Sequence, residues 1–439
     1  MREKLRSDAS EIYQSALSAV DSSSCIFNAV SRKNNVLLID GRTYDLSSYE
    51  NINLIAFGKA AVPMAQAIDS ILADHISDGI VITKYGFGGT LNNVDVLEAG
   101  HPLPDENGVI AGIKVRDMLE KSGKNDLVVF LISGGGSALL TLPRKDISVS
   151  DIVKLTDDLL RSGATIEELN TVRKHLSAVK GGGLAKLSYP SESISLILSD
   201  VVGDSLNVVA SGPTLPDSST FGDFQEIVNR YELKISPAVQ GLIEDGLDGI
   251  CEETPKSSAP IFEKAFHYLV GNNSLALSKA GSKASEFGYN TLILTSSLVG
   301  EAREIAKVFS SIAKEERSKG GPIPLPACIL AGGETTVTIN GTGKGGRCQE
   351  LALSFGIEAT GIRGVLMLSA ATDGNDGESD ASGAFADGET LKDGKEIGLD
   401  ARIMLRNNNS NSYFKEINDL LITGPTGTNV MDIYMLLIA

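Results

Sequence analysis

The run LVVFLISGGGSALL at residues 127–140 constrains the fold more than any other stretch of the chain. Its six leading apolar residues, several of them branched, read as a strand buried on both faces, as in a parallel sheet covered by helices. Gly134, Gly135 and Gly136 then turn the chain, and Ser137 with the Ala/Leu run behind it can open a helix. A strand, a tight glycine turn and a helix start together present backbone N–H groups to an anion, because no side chain blocks the approach. Three glycines alone serve a ligand-free turn equally well. The weight therefore rests on how many other polar clusters follow apolar runs.

At 439 residues the chain is long for one domain, and two α/β domains are expected, each with a core of its own. The 46 glycines cluster after apolar runs and read as site-forming turns, not as low-complexity sequence. A net charge of −17 with no basic stripe argues against a nucleic-acid partner. The same balance repels anionic substrates at long range. Basic residues near glycine turns, namely Lys59, Arg173, Lys174 and Arg347, are thus the candidates for a local cationic pocket. Cys25, Cys251, Cys328 and Cys348 form no CxxC pair, which speaks against a disulfide scaffold and a zinc site. No apolar run is long enough for a membrane span, and MREKLRSDAS lacks a signal-peptide core. A cytoplasmic protein with no membrane partner is expected.

Taken in order, the chain opens with a helix over residues 4–21 and a short hairpin at 35–44. NINLIAFGKAAVPMAQAI then gives a strand at 54–57, a Gly58-Lys59 turn and a helix with Pro63 in its first turn, where the missing N–H does little harm. Lys59 thus stands at a strand's carboxyl end, the edge where open α/β sheets bind ligands. Strands follow at 79–83 and 94–99, then GHPLPDENG, a helix at 107–121 and the glycine-turn strand. His101 reads as a turn residue before a catalytic base. LNTVRKHLSAVKGGGLA (169–185) reads as one helix carrying Arg173, Lys174 and Lys180, whose cations form either a solvated face or a ligand contact. The strand at 194–198 ends in Ser199-Asp200, with Asp204, Asn207 and Ser211 close behind. Carboxylates at the end of an apolar strand suit a metal or a general base, or cap a turn.

Five prolines punctuate residues 213–260, and the domain connection is placed there, dividing the chain into 1–240 and 241–439. A second α/β pattern follows, with strands at 268–271, 290–295, 327–331 and 365–371, helices at 274–287 and 301–319, and a last apolar strand after Asn429 and Asp432. Gly341, Gly343 and Gly346 satisfy GxGxxG, but the preceding TTVTIN alternates as a hairpin or edge strand does, and the dinucleotide reading is weak. Walker A and protein-kinase motifs are absent.

As a set, FGKA (57–60), GHPLPDENG (100–108), LISGGGSALL (131–140), NTVRKHLSAVKGGGLA (170–185), SDVVGD with ASGPT (199–214), AGGETTVTI with GGRCQELAL (331–353), ATDGNDG (371–377) and TGPTGTNVMD (423–432) resemble the glycerate 2-kinases whose C-terminal half is called the MOFRL domain. The resemblance covers nearly the whole chain. It implies a Rossmann-like N-terminal domain and a smaller α/β C-terminal domain, with the site in the cleft between them. It also implies ATP and Mg²⁺ as cofactors, and phosphorylation of D-glycerate to 2-phosphoglycerate; whether the chain forms a homodimer is left open. Lys59 and Arg347 would supply fixed positive charge and Asp200 would act in catalysis. Ser133, Gly134, Gly135, Gly136, Ser137, Arg173, Lys174, Asn207, Glu334 and Thr426 would bind substrate or nucleotide, and Asp204 and Asp373 would hold the metal. Which aspartate accepts a proton and which binds metal is left open. Some relatives are called hydroxypyruvate reductases, so a nicotinamide-dependent reductase is the alternative, with a non-catalytic sensor of sugar acids behind it.

Overall fold

A computed structural model describes residues 1–439. It divides into two compact units, Ser22–Val201 with Ser205–Val270, and Met1–Asp21 with Val202–Asp204 and Gly271–Ala439.

The unit built from Ser22–Val201 and Ser205–Val270 is organised on a six-stranded sheet of β1 (Ile52–Phe57), β2 (Asp78–Lys84), β3 (Val94–Ala99), β4 (Leu127–Ile132), β5 (Glu192–Leu198) and β6 (Ala265–Gly271). The order across the sheet is β3-β2-β1-β4-β5-β6, and the first five strands are parallel. Every residue of β1 and β4 is buried, as their unbroken apolar runs require. The two lie side by side in register from Ile52↔Leu127 to Phe57↔Ile132. After β1 the chain winds outward through β2 and β3, then returns to lay β4 on the other flank. No crossover covers the carboxyl ends of β1 and β4, which is where open α/β sheets leave a crevice for ligands. A three-stranded antiparallel meander over residues 30–45 replaces the expected hairpin.

A satellite core joins the helices Val149–Arg161, Ile166–His175, Phe221–Arg230 and Pro237–Leu247. Phe221, Phe224, Val239 and Ile243 are buried in it, each contributing about 1.5–3 kcal/mol against exposure. The proline-punctuated stretch is therefore packed structure and not a connection, and the units separate at Val270/Gly271, not at 240/241. Two of its prolines start helical turns: Pro237 is the first residue of its helix, behind the Ser236 cap, and Pro260 opens the short turn Pro260–Lys264. Nor is the stretch 169–185 a single helix. It breaks after His175, because Gly181 and Gly182 take left-handed φ values of +53° and +84° and donate to Ser211 O and Gly212 O.

The other unit carries β7 (Asn290–Leu298), β8 (Ala327–Gly333), β9 (Val365–Ala371), β10 (Gly383–Asp387), β11 (Leu420–Leu421) and β12 (Asp432–Ile438), in the order β7-β8-β12-β9-β10-β11. Only β7 and β8 are parallel; the other pairs are antiparallel. β12 runs between β8 and β9 with every residue buried. The helix Arg2–Ala19 packs on the helix Asn273–Glu286, and the Tyr13 hydroxyl donates to Ala371 O at 2.7 Å. The expected strand at TTVTIN does not form. The Thr338 N–H goes to the Glu301 carboxylate at 3.1 Å and the Asn340 N–H to Asn408 Oδ1 at 2.8 Å. Side chains there take the donors that a neighbouring strand would need.

Candidate active site

In the parallel-sheet unit the turns after β1 and β4 are stitched together. The Lys59 N–H donates to Gly134 O at 2.9 Å, and the Ala60 N–H to the Ser133 hydroxyl at 3.1 Å. Gly58 has φ +125°, and a Cβ there would lie 2.2 Å from Ser133 Oγ, so only glycine lets the turns meet. The glycines of the second turn are just as closely faced. A Cβ on Gly134 would fall 1.9 Å from Asp200 Oδ2, and one on Gly135 would fall 2.9 Å from the His101 ring and 3.2 Å from Lys59 Cγ. Lys59, His101 and Asp200, far apart along the chain, thus converge on one glycine bend at the end of β4. The N–H groups of Gly134 and Gly135 enter no backbone hydrogen bond. The helix behind them, Gly136–Leu139, is a single turn. Attraction for an anion therefore rests on the local amides and Lys59 and hardly on a helix dipole.

His101 is confined by this packing. Burial, then the charges of Lys59 and Lys84, bring its pKa down to about 4. The ring is neutral at pH 7, in line with a turn residue and not a proton carrier at that pH. The folded value lies below the ordinary His value, so protonation costs stability as pH falls through this window. A ¹H–¹³C titration is expected to show the His101 Cε1 resonance flat from pH 8 to 5.5. Removing the Lys59 charge as Lys59→Met should move the midpoint upward.

Beyond the glycines a polar chain leads to the helix Ile166–His175. Ser137 Oγ lies 2.8 Å from Ser211 Oγ, which donates to Asn170 Oδ1 at 2.9 Å. Ala210, Ser211 and Gly212 are all left-handed, at φ +49°, +63° and +58°, a conformation that costs non-glycine residues about 1–3 kcal/mol each and tends to gather at functional sites. Lys180, next to the Arg173 charge, is buried and donates to Leu140 O at 2.8 Å; burial, then Arg173, lowers its pKa to about 7. The three cations of this stretch are thus not a solvated face. Lys174 is spent on structure: it is buried, with Nζ 3.0 Å from Asp217 Oδ1. Burial opposes the Asp217 charge, but Lys174 together with hydrogen bonds from Ser219 and Thr254 more than compensates and holds the carboxyl below its usual range. Asn207 is exposed, its side chain taken by the Ser205 hydroxyl at 2.7 Å, and does not join the cluster.

In the mixed-sheet unit the carboxyl ends of β8 and β9 flank the start of β12. Asp432, fully buried, pairs with Gly333 on one side and Ala371 on the other. Arg347, first residue of the helix Arg347–Glu358, grips it with two bonds, Nε to Oδ2 at 2.6 Å and Nη2 to Oδ1 at 2.8 Å, while Nη1 reaches Glu334 at 2.8 Å. Burial opposes the guanidinium's charge and Asp432 overrides it, so the group is held cationic. Tyr434 completes the set, donating to Asp432 Oδ2 at 2.9 Å. Arg347 is accordingly a compensated cation, not a bare one. Only Glu334, with a side chain 45 % exposed, is placed to give way to an incoming oxyanion.

Asp373 and Thr426 lie on adjoining loops of the same unit. The Asn375 N–H donates to Asp373 Oδ1 at 3.1 Å and the Thr426 hydroxyl to Thr372 O at 2.6 Å. Asp204 takes the Asn272 amide at 2.6 Å on Oδ2, whereas its Oδ1 is buried without a hydrogen-bond partner. No group of three or more His, Cys, Asp or Glu side chains forms a ready-made metal cage. Asn170 and Asp376 stand outside the sequence-derived candidate set. A polar residue directly after buried Leu169, on a helix whose apolar face is set by Leu169 and Val172, was the available signal for the first; nothing local marks the second.

Asp376 decides the meaning of the GxGxxG spacing. Its carboxylate accepts the N–H groups of Cys348 and Gln349 at 3.0 and 2.8 Å, filling the helix start where a pyrophosphate would sit. A Cβ on Gly346 would come within 2.2 Å of Asp376 Oδ1, and Gly341 and Gly343 lie equally close to Asn407 and Asn409. Their lack of side chains serves close packing.

A family model described as a domain of unknown function, DUF4147, matches residues 8–244, and the MOFRL family model matches residues 327–432. Similar proteins include a D-glycerate 2-kinase of Thermotoga maritima, 46 % identical over 89 % of this chain and 91 % of its own. A putative hydroxypyruvate reductase of Agrobacterium vitis is 41 % identical over 88 % of this chain and 86 % of its own. A crystal structure of glycerate kinase from Thermotoga maritima superposes with a TM-score of 0.89 at 42 % identity, each chain covered completely. No helix is long and apolar enough to cross a membrane. With both models matched in order and the relatives covered nearly end to end, the chain belongs to the MOFRL-type glycerate 2-kinase family.

Proposed function

We propose that this protein transfers the γ-phosphoryl group of ATP to the 2-hydroxyl of D-glycerate, giving 2-phosphoglycerate and ADP. The observation that carries the reading is the convergence of Lys59, Asp200 and the glycine bend Gly134–Gly135, whose amides enter no backbone hydrogen bond, at the point where the sheet order reverses. That order, third-second-first-fourth-fifth-sixth, is the Rossmann-like arrangement, whose ligands sit at this crevice.

Phosphoryl transfer asks the protein chiefly for positioning and charge cancellation. In this reading Asp200 accepts the proton of the 2-hydroxyl, whose oxygen forms the new P–O bond as the bond to the ADP oxygen breaks. Lys59 and the glycine amides offset charge on the transferring group's oxygens or on the carboxylate. Arg347, released from Glu334, offers Nη1 to a second oxyanion while Asp432 keeps it oriented. Mg²⁺ uses few protein carboxylates and several phosphate oxygens and waters, so the lack of a three-carboxylate cage is compatible with it. Asp204, with its unpartnered Oδ1, and Asp373 are the residues that would hold it. When bound, it would neutralise phosphate charge.

The reductase reading loses its support because Asp376 occupies the helix start that a dinucleotide would need. One assay separates the two. Purified protein given ATP, Mg²⁺ and D-glycerate is expected to yield a product that enolase consumes, which 3-phosphoglycerate would not be. Oxidation of NADH with hydroxypyruvate, and no ADP from glycerate, would reverse the choice.

A further inference from the structure

Asn170 is 3 % exposed, yet its Nδ2 has no hydrogen-bond partner. A buried amide left unpaired is costly, and such atoms in folded proteins commonly face a ligand or ordered water. Its orientation is fixed from the other end. Ser211 Oγ spends its proton on Asn170 Oδ1, so the 2.8 Å contact between the two serines must be Ser137 donating to Ser211. The chain runs in one direction, from Ser137 through Ser211 to Oδ1, and leaves both Nδ2 protons without an acceptor. One turn further along the same helix, Arg173 falls on the same side as Asn170. Burial lowers the pKa of its guanidinium, and no carboxylate offsets that cost. Lys180 adds a second charge beside it. A neutral donor pair, an uncompensated guanidinium and no acidic side chain bonded to either are the groups that a small carboxylate would satisfy.

We propose that Asn170 and Arg173 form the subsite that holds the carboxylate of the substrate acid, with Ser137 and Ser211 as positioning residues that keep the Asn170 amide facing it. The assignment rests on the kinase reading for the identity of the acid. It also implies that the Ser137 hydroxyl, its proton already committed, is an acceptor toward the substrate and does not itself bind an oxyanion.

The test uses the full-length protein and compares Asn170→Asp with Ser211→Ala. Asn170→Asp keeps the shape and turns the unpartnered donor into an acceptor. It is expected to raise KM for D-glycerate by roughly 10–100-fold, the worth of a charge-assisted hydrogen bond, and to leave KM for ATP within about twofold. Ser211→Ala frees the amide to rotate and should raise the same KM by a smaller factor, on the order of 3–10-fold. Binding of D-glycerate without nucleotide, followed by calorimetry, gives a readout independent of turnover and should weaken in parallel. An unchanged glycerate affinity in Asn170→Asp, or an equal loss for ATP and glycerate, would overturn the subsite. Wild-type protein that binds glycerate but forms no ADP would instead overturn the kinase reading and leave the subsite standing. If Asn170→Asp fails to fold, Arg173→Ala with partial recovery in Arg173→Lys carries the same comparison, and no loss in Arg173→Ala overturns the proposal.

Discussion

Arg347→Ala is expected to lose stability and turnover together, by about 3–5 kcal/mol for the first and by at least about a hundredfold in kcat for the second. The stability loss follows from Asp432, which is fully buried and would be left charged with only the Tyr434 hydroxyl bonded to it. Removing one partner of a buried ion pair costs more than the pair is worth, because the survivor's desolvation is no longer offset. A simple activity loss in this variant would thus be ambiguous. The double variant Arg347→Ala with Asp432→Asn resolves it: urea midpoints should return most of the way to wild type while turnover stays low. If turnover recovers with stability, Arg347 acts only as scaffold and leaves the mechanism.

Lys59→Ala is the complementary case, a large catalytic loss with little structural cost. The contacts that stitch the two turns use the Lys59 backbone N–H, the Ala60 N–H and the Ser133 hydroxyl, all of which survive the truncation. Stability should change by no more than about 1 kcal/mol, as for other changes outside the tightly packed core. Turnover should fall by about 10³-fold, the scale on which a single well-placed cation acts in phosphoryl transfer. Enolase-coupled rates and thermal midpoints measured on the same preparation check both halves. Near-normal rates would mean that the glycine amides suffice, and Lys59 would then be a packing residue of the bend.

Much of this edge was legible in the sequence, and the reason is local. An unbroken apolar run followed by glycine can hardly be anything but a buried strand and a close turn, so the placement of Lys59 and Gly134–Gly136 at the ends of neighbouring strands is legible. The position of Asp200 is legible for a related reason: a carboxylate at the end of such a run has nowhere apolar to go, and it lies against Gly134. What the sequence hid was partnership over distance. Lys174 looked like its neighbour Arg173 until Asp217, 43 residues on, claimed it. Asp376 caps a helix that begins 29 residues before it, and that single contact turns a nucleotide-like glycine spacing into close packing. Asn170 lay inside a recognised block, but its unpaired amide is a property of three-dimensional neighbours. The stretch 213–260 misled through its prolines, which signal a linker or a run of helix starts with equal force until the burial of Phe221 and Phe224 is seen.

The placement of β12 carries a consequence for how the mixed-sheet unit comes into being. The strand that joins its two halves, with β8 on one flank and β9 on the other, is residues 432–438, while the helix laid over that sheet's partner helix is residues 2–19. During synthesis the helix Arg2–Ala19 keeps its apolar stripe uncovered until the ribosome has delivered its partner helix Asn273–Glu286, more than 250 residues later, and the sheet beneath closes only with residues 432–438. A fragment starting at Gly271 would lack that helix, and one stopping before Asp432 would leave two half-sheets with nothing between them.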